Sequence, residues 1–109
     1  MNRYNRYYTY RLKEPLLDFK KFEIQDLPIE LLEGDKLIVF IAGSMEVLGS
    51  YIVSDNKAII ETKINDMKLS DFYDCFSFIT EIGERTYKIF AKPVREISKD
   101  DYINILSKI

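Results

Sequence analysis

The fold of this chain is most constrained by three short apolar runs that follow one another with only a few turn residues between them. Residues 37–42, 47–54 and 58–64 are rich in Leu, Ile and Val and have the length of strands. Gly43-Ser44 and Asp55-Asn56 stand between them, and residues of these types favour tight turns. The pattern predicts three consecutive antiparallel strands joined by hairpins.

Two further strands are predicted outside this region. Residues 7–12 are mostly aromatic and suit a strand, which Pro15 ends because proline lacks the N–H that a strand ladder needs. Residues 86–94 alternate in polarity, as a strand does, and Pro93 near their end indicates an edge or a bulge. Gly49, within the second apolar run, indicates a bulge or a close approach of two backbones.

Short helices are predicted at three places. Apolar residues at offsets of three and four mark one helix face over residues 69–79, with Ser70 as the cap. A second helix begins at Ser98, which is soon followed by two aspartates that suit the positive end of a helix. A short helical turn capped by Asp26 and ended by Gly34 is the third, because the glycine position favours positive φ.

These elements together predict an α+β fold that is mostly β. The preferred architecture is one domain over residues 1–109, a small and mostly antiparallel barrel of about five strands with two or three short helices at its margins. An open α+β sheet is the second architecture that the alternation of strands and helices permits. Residues 16–26 fit either a helix or an extended segment, and Gly83 ends the helix of residues 69–79.

The composition of the chain limits the kinds of functional site that we expect. The 109 residues carry a net charge of −2, contain one cysteine, Cys75, and lack histidine. A polybasic coat, a His-based triad, a zinc site and an intramolecular disulfide are therefore not expected. No apolar run approaches the ~20 residues that cross a membrane. We expect a cytoplasmic protein without a cofactor or a metal, in which Cys75 is a partly buried structural thiol.

The opening stretch concentrates tyrosine and arginine. Residues 2–12, "NRYNRYYTYRL", hold four of the eight tyrosines, three arginines and no acid. As a strand, this stretch has two faces that alternate along the chain. They are Arg6, Tyr8 and Tyr10 on one face and Tyr7, Thr9 and Arg11 on the other. Arginine offers a planar fork for phosphate or a guanine edge, and tyrosine offers a stacking surface for a base. Alternatively, the tyrosines are core residues and the arginines pair with acids.

Three segments resemble the PUA-like superfamily in their order along the chain. "LLEGDKLIVFIAG" followed by "VLGSYIVSD" resembles its hairpin, in which a Gly-Asp turn leads into an apolar strand and the return strand has an interior glycine. "TYKIFAKPVREI" is similar to a late strand of EVE-domain proteins. "YNRYYTYR" resembles the ASCH-domain pattern of Gly, Lys, Thr and Arg, onto which Tyr4, Arg6, Thr9 and Arg11 fall. Thr9 and Arg11 match, Arg6 keeps the charge of the lysine, and Tyr4 departs from the glycine.

The resemblance implies a barrel whose cleft receives a nucleotide or a segment of RNA or DNA, with a modified base in the EVE-like case. It implies that Thr9 and Arg11 line the cleft, with Tyr7 beside them and Ser50 placed to donate to a base. Lys88 shares a predicted strand face with Lys92, and the two either widen a basic patch or form a solvated face. The predicted ligand-binding residues are Arg6, Tyr7, Thr9, Arg11, Ser50 and Lys88.

Three functions are compatible with these residues. The first is a non-catalytic module that binds RNA, DNA or a modified nucleoside. The alternative is a protein–protein interaction or inhibitor-type accessory domain, since Tyr and Arg are common interface anchors. The third, implied by some ASCH relatives, is an amidohydrolase acting on a modified cytidine, with Thr9 as nucleophile and Glu81 or Glu84 as base. Arg6 argues against it because arginine does not lose its proton near neutral pH, so we assign no catalytic residue.

Overall fold

The chain forms one six-stranded mixed sheet with helices against one face. The structure is a computed structural model that describes residues 4–24, 27, 29–79 and 86–109. The strands are β1 (Tyr7–Leu12), β2 (Lys21–Glu23), β3 (Lys36–Ile41), β4 (Val47–Ser54), β5 (Lys57–Lys63) and β6 (Val94–Ile97). The helices are two 3-10 helices, Leu69–Cys75 and Thr86–Phe90, and one α-helix, α1 (Lys99–Ser107). The strand order is β2-β5-β4-β3-β1-β6.

The sheet is open, so the predicted antiparallel barrel is wrong, and the second predicted architecture, an open α+β sheet, is the one observed. β2 and β6 lie at its two edges, and no pairing joins them among the described residues. β1 pairs with β3 in parallel, and parallel neighbours need a crossover of about a dozen residues or more. Here the crossover contains β2, which lies at the far edge of the sheet, next to β5. The strands therefore do not close into a barrel.

The three central apolar runs form the predicted meander of β3, β4 and β5. β4 has the predicted bounds, while β3 and β5 each begin and end one residue earlier. Asp55 and Asn56 both have positive φ, at 54° and 61°, as a type I′ hairpin turn requires. Gly34 has the predicted positive φ, 87°. A β-carbon at Gly49 would lie 2.3 Å from the Thr62 carbonyl oxygen, which confirms the close backbone approach predicted there.

The predicted strand over residues 86–94 is wrong. Residues Thr86–Phe90 form a 3-10 helix, and β6 begins only after Pro93. The helix brings the ring of Phe90 within 5.0 Å of the Phe76 ring and 6.2 Å of the Phe40 ring, measured between centroids. Phe90 is fully buried as a result, and this packing overrides the local alternation of polar and apolar residues.

The predicted helix over residues 69–79 is shorter than expected. It is a 3-10 helix that ends at Cys75, and Lys68 rather than Ser70 occupies the cap position. The Lys68 N–H donates to the Asp71 carboxylate at 2.8 Å. This bond closes the first turn two residues before the predicted cap.

The C-terminal helix begins where predicted. The Ser98 hydroxyl caps α1 and accepts the N–H of Asp101 at 3.1 Å. Asp101 is itself buried, and its Oδ2 accepts both the N–H and the hydroxyl of Ser77, each at 3.0 Å. These bonds tie α1 to the turn that follows the first 3-10 helix.

The sheet has a buried core on each face. On the face that we name the crossover face, the chain between β1 and β3 covers the sheet. The buried residues there include Tyr8, Tyr10, Leu12, Leu37, Val39, Tyr51 and Val53, with Leu16, Phe22, Ile24, Leu27 and Leu31 packed against them. The opposite side is the helix face, where the 3-10 helices and α1 pack. Its buried residues include Ile38, Phe40, Val47, Phe72, Phe76, Phe90, Tyr102 and Ile105. Tyr8 and Tyr10 of the opening stretch are therefore core residues.

The ambiguous segment of residues 16–26 is extended where it forms β2. Phe22, in the middle of β2, contacts the rings of Tyr10 and Tyr51 at centroid distances of 5.3 and 5.4 Å. The predicted cap Asp26 and the predicted helix breaker Gly83 lie outside the described residues.

A buried carboxylate fixes the start of the parallel pair. Asp35 is fully buried and directly precedes β3. Its Oδ1 accepts the Arg6 N–H at 3.0 Å, and its Oδ2 accepts the Leu32 N–H at 2.8 Å. The Lys36 N–H donates to the Arg6 carbonyl at 3.0 Å. Because Arg6 directly precedes β1, these bonds hold the beginnings of β1 and β3 side by side.

Replacing Asp35 by alanine should strongly destabilise the fold. The substitution leaves the N–H groups of Arg6 and Leu32 without their acceptor, and we expect the free energy of unfolding to fall by about 2–4 kcal/mol. Urea denaturation followed by circular dichroism measures this. Asp18→Ala is the matched control, because Asp18 is exposed and accepts only a local N–H, from Lys20. Equal effects of the two substitutions would contradict the role of Asp35.

The fold should also weaken at alkaline pH through Tyr51. Its hydroxyl donates to the Phe19 carbonyl at 2.5 Å, and burial, with the Asp18 charge as a smaller cause, raises the pKa of Tyr51 from 10.0 to about 12. Below pH 10 both the folded and the unfolded states hold the proton, so the stabilisation is fully present. As pH rises towards 12, the unfolded state loses the proton first and the free energy of unfolding falls, by about 1 kcal/mol at pH 11 from this residue.

The measurement is urea denaturation at pH 8 and pH 11 for the parent and Tyr51→Phe. The variant loses a hydrogen bond at both pH values, but its stability should fall less between them. An identical fall in the parent and in the variant would contradict the assignment.

Candidate functional site

The carboxyl ends of β1 and β3 meet at one edge of the sheet, and two cavities open there. The strands are parallel with Leu12 beside Ile41, and the Ala42 N–H donates to the Leu12 carbonyl at 2.7 Å. Both strands of this one parallel pair therefore end at the same edge of the sheet. Arg11, near the end of β1, lines both cavities.

The larger cavity, which we name the Arg11 cavity, has a volume of about 510 Å³. Its lining residues are Tyr10, Arg11, Leu12, Lys13, Glu14, Leu27 and Pro93. Tyr10 and Leu12 are buried, whereas Lys13 and Glu14 are exposed, so the cavity combines an apolar wall with a charged rim. The Arg11 N–H donates to the Pro93 carbonyl at 2.8 Å, which holds the start of β6 at the cavity.

The smaller cavity, which we name the Gly43 cavity, has a volume of about 280 Å³. Its lining residues are Arg11, Gly43, Met45, Phe90 and Ala91. Met45 has a positive φ of 61°, a conformation that costs a non-glycine residue roughly 1–3 kcal/mol. Two backbone hydrogen bonds hold Met45 in this conformation. The Met45 N–H donates to the Ile41 carbonyl, and the Met45 carbonyl accepts the Leu69 N–H, both at 2.8 Å. A β-carbon at Gly43 would meet no atom within 4 Å, so the turn leaves this space open.

Three charged residues, Arg11, Lys13 and Glu14, line the Arg11 cavity. Within the part of the chain that the structure describes, no ion pair or side-chain hydrogen bond engages Arg11, Lys13 or Glu14. Charged residues elsewhere do pair with one another. These pairs are Arg6–Glu96 at 3.8 Å, Lys36–Glu61 at 2.5 Å and Lys108–Asp74 at 2.6 Å. Arg11 is half-buried, and a guanidinium in such surroundings forms stronger hydrogen bonds than in water.

The structure does not bring the predicted site residues together. Arg6 lies at the opposite end of β1 from Arg11 and pairs with Glu96. Thr9 and Ser50 are 2% and 1% exposed. Both belong to one row across the helix face, in which Ile38 separates them. Arg6, Thr9 and Ser50 are absent from the linings of the Arg11 cavity and the Gly43 cavity.

Tyr7, Ser50 and Tyr102 form a polar and aromatic group on the helix face. The Tyr7 ring packs edge-on against the Tyr102 ring, with 4.9 Å between centroids. Burial raises the pKa of Tyr102, and the neighbouring Ser50 side chain offsets part of this rise. The group joins β1, β4 and α1, which gives Ser50 a structural partner.

Lys88 is exposed, as a solvated residue would be, but it lies on the second 3-10 helix rather than on a strand. The predicted strand face shared with Lys92 is therefore absent, because that helix ends at Phe90. Neither of the two cavities is lined by Lys88.

Arg11, a predicted binding residue, lines the Arg11 cavity, whereas its neighbours in that cavity were not predicted. Lys13 and Glu14 were passed over because they follow a predicted strand as ordinary charged residues. Leu27 and Pro93 reach the cavity only through the crossover and through β6. The signal within the sequence is limited to the run "YRLKEP", in which three charges follow a buried tyrosine at a strand end.

Metal and membrane chemistry have no counterpart in the described residues. Those residues contain no group of three or more His, Cys, Asp or Glu side chains placed to hold a metal ion. No helix among them has the length and apolar character needed to cross a membrane. Cys75 is half-buried, and its pKa is raised by burial and by the Asp74 charge, which keeps the thiol protonated.

Comparison with known proteins gave no match, whether among protein families, curated proteins or solved structures. The PUA-like resemblance therefore rests on the residues quoted for it.

The interaction of Ser50 with Tyr102 should contribute to stability. We expect Ser50→Ala and Tyr102→Phe each to lower the free energy of unfolding by about 1 kcal/mol, and the double variant to lose less than the sum. Urea denaturation of the four proteins measures this coupling. Ser107→Ala is the control, because Ser107 is exposed and donates only within its own helix, to the Ile103 carbonyl. Additive losses would contradict this coupling between Ser50 and Tyr102.

Proposed function

We propose that the chain is a non-catalytic binding module for nucleotides or single-stranded nucleic acid, with Arg11 as its principal contact. The observation that carries this proposal is the position of Arg11, which lines both cavities and makes no ion pair within the described part of the chain. The PUA-like resemblance supports it, because Arg11 is one of the two residues that match the ASCH pattern.

The chemistry of the Arg11 cavity suits such a ligand. A guanidinium binds phosphate or the guanine edge through two parallel hydrogen bonds. The cavity volume of about 510 Å³ lies within the usual range for small-molecule sites, about 300–1,000 Å³. The net charge of −2 disfavours a general attraction for nucleic acid, so binding would depend on this local group.

The test is a titration of labelled single-stranded RNA and DNA, plain and base-modified, at low and moderate salt. We expect the affinity to fall as salt rises, because bound phosphate releases counterions. Arg11→Ala should weaken binding by about tenfold or more. Lys99→Ala removes one positive charge from the exposed start of α1, beyond the other end of β1, and should change affinity by less than about twofold.

Two results would count against this function. Absence of binding to every nucleic acid and nucleotide would remove it altogether. Equal weakening by Arg11→Ala and Lys99→Ala would show that binding follows overall charge and not the Arg11 cavity.

An exposed apolar edge favours protein interaction as the second candidate function. Leu17, Phe19 and Ile59 are large apolar residues that remain exposed, and Ile59 lies opposite Lys21 in the pairing of β5 with β2. Exposed apolar residues grouped at a sheet edge can mark a protein-binding surface. A stoichiometric protein complex that is lost in Leu17→Ser and retained in Arg11→Ala would support this function over the first.

The amidohydrolase interpretation receives less support. Thr9, its nucleophile, is buried, and a buried hydroxyl does not meet a substrate without rearrangement. Glu81 and Glu84, its alternative bases, lie outside the described residues. Release of acetate from acetylated cytidine by the protein, lost in Thr9→Val, would overturn this assessment.

A further inference from the structure

We infer that the Arg11 cavity recognises a guanine base, with Arg11 and Lys13 donating to its acceptors and Glu14 accepting from its donors. This inference rests on the proposed function and specifies the ligand of the same site. It starts from the three charged residues that line one cavity of about 510 Å³. Two of them supply only hydrogen-bond donors, and the third supplies only acceptors.

The positive and negative residues of the cavity are close in sequence, but no ion pair joins them among the described residues. Glu14 follows Lys13 directly and lies three residues after Arg11. No ion pair joins Glu14 to either cation, whereas three such pairs form elsewhere in the described chain. A ligand that presents acceptors to the cations and donors to the carboxylate would bridge them.

The apolar wall sets the shape of that ligand. Tyr10 and Leu12 are buried in the crossover-face core, and Leu27 packs against the same core. Pro93 adds a rigid ring at the start of β6. A flat base can lay its apolar faces along such a wall while its polar edges reach the charged rim.

Guanine is the base whose edges match this charge arrangement. Its O6 and N7 accept the two N–H groups of an arginine fork, and its amino group donates to a carboxylate. Adenine presents its amino donor where guanine presents O6, so an arginine fork in that position meets a donor. A site built around hydrogen bonds rejects an analogue that leaves its buried polar groups unpaired.

The test is calorimetric titration of the full chain with GMP, AMP, CMP and UMP under one buffer condition. We expect GMP to bind at least tenfold more tightly than the other three. Glu14→Gln keeps the size of the side chain but loses the charged acceptor, and should reduce the preference for GMP to less than threefold. Glu23→Gln is the matched control, since Glu23 is an exposed residue of β2 at the far edge of the sheet, and should leave the preference intact.

A second variant separates the arginine fork from its charge. Arg11→Lys retains the positive charge but loses the bidentate geometry, and should reduce the preference for GMP while retaining weak binding of all four nucleotides. Equal affinity for the four nucleotides, or an unchanged preference in Glu14→Gln, would overturn the inference and leave the proposed function standing. Absence of binding by every nucleotide and by single-stranded RNA and DNA would overturn both.

Discussion

The buried carboxylate of Asp35 is the interaction on which the sheet depends. By accepting the N–H groups of Arg6 and Leu32, it joins the residue before β1 to the loop before β3. That junction sets the register in which Tyr7 lies beside Lys36. A parallel pair has no connecting hairpin to fix its register. In this sheet the buried contacts of Asp35 fix the register instead.

The register set at Asp35 decides what meets at the other end of the pair. Leu12 and Ile41 finish side by side, and the chain leaves both strands at one edge of the sheet. The charged residues after β1 and Pro93, before β6, therefore line the Arg11 cavity, while the turn at Gly43 lines the Gly43 cavity, and Arg11 belongs to both linings. The candidate site is a consequence of parallel pairing, which explains why its residues come from distant parts of the sequence.

On the helix face, polar residues connect the helices to one another and to the sheet. Asp101 accepts two hydrogen bonds from Ser77, and Ser50 interacts with the Tyr102 phenol. Thr9 lies in the same sheet row as Ser50, with Ile38 between them. Thr9 and Ser50, which were predicted to line a binding cleft, are thus buried on the helix face, whereas Arg11, at the end of its strand, lines both described cavities.

The sequence by itself determined the elements whose physics is local. The strands of the meander, the turn at Asp55-Asn56 and the Ser98 cap were predicted because turn chemistry, apolar runs and capping act within a few residues. Tertiary structure alone decided that β1 pairs in parallel with β3, that residues 86–90 form a 3-10 helix that buries Phe90, and that Arg11 shares a cavity with Leu27 and Pro93. These outcomes depend on which surfaces pack together after a long crossover, and no short window of sequence contains both partners of such a contact.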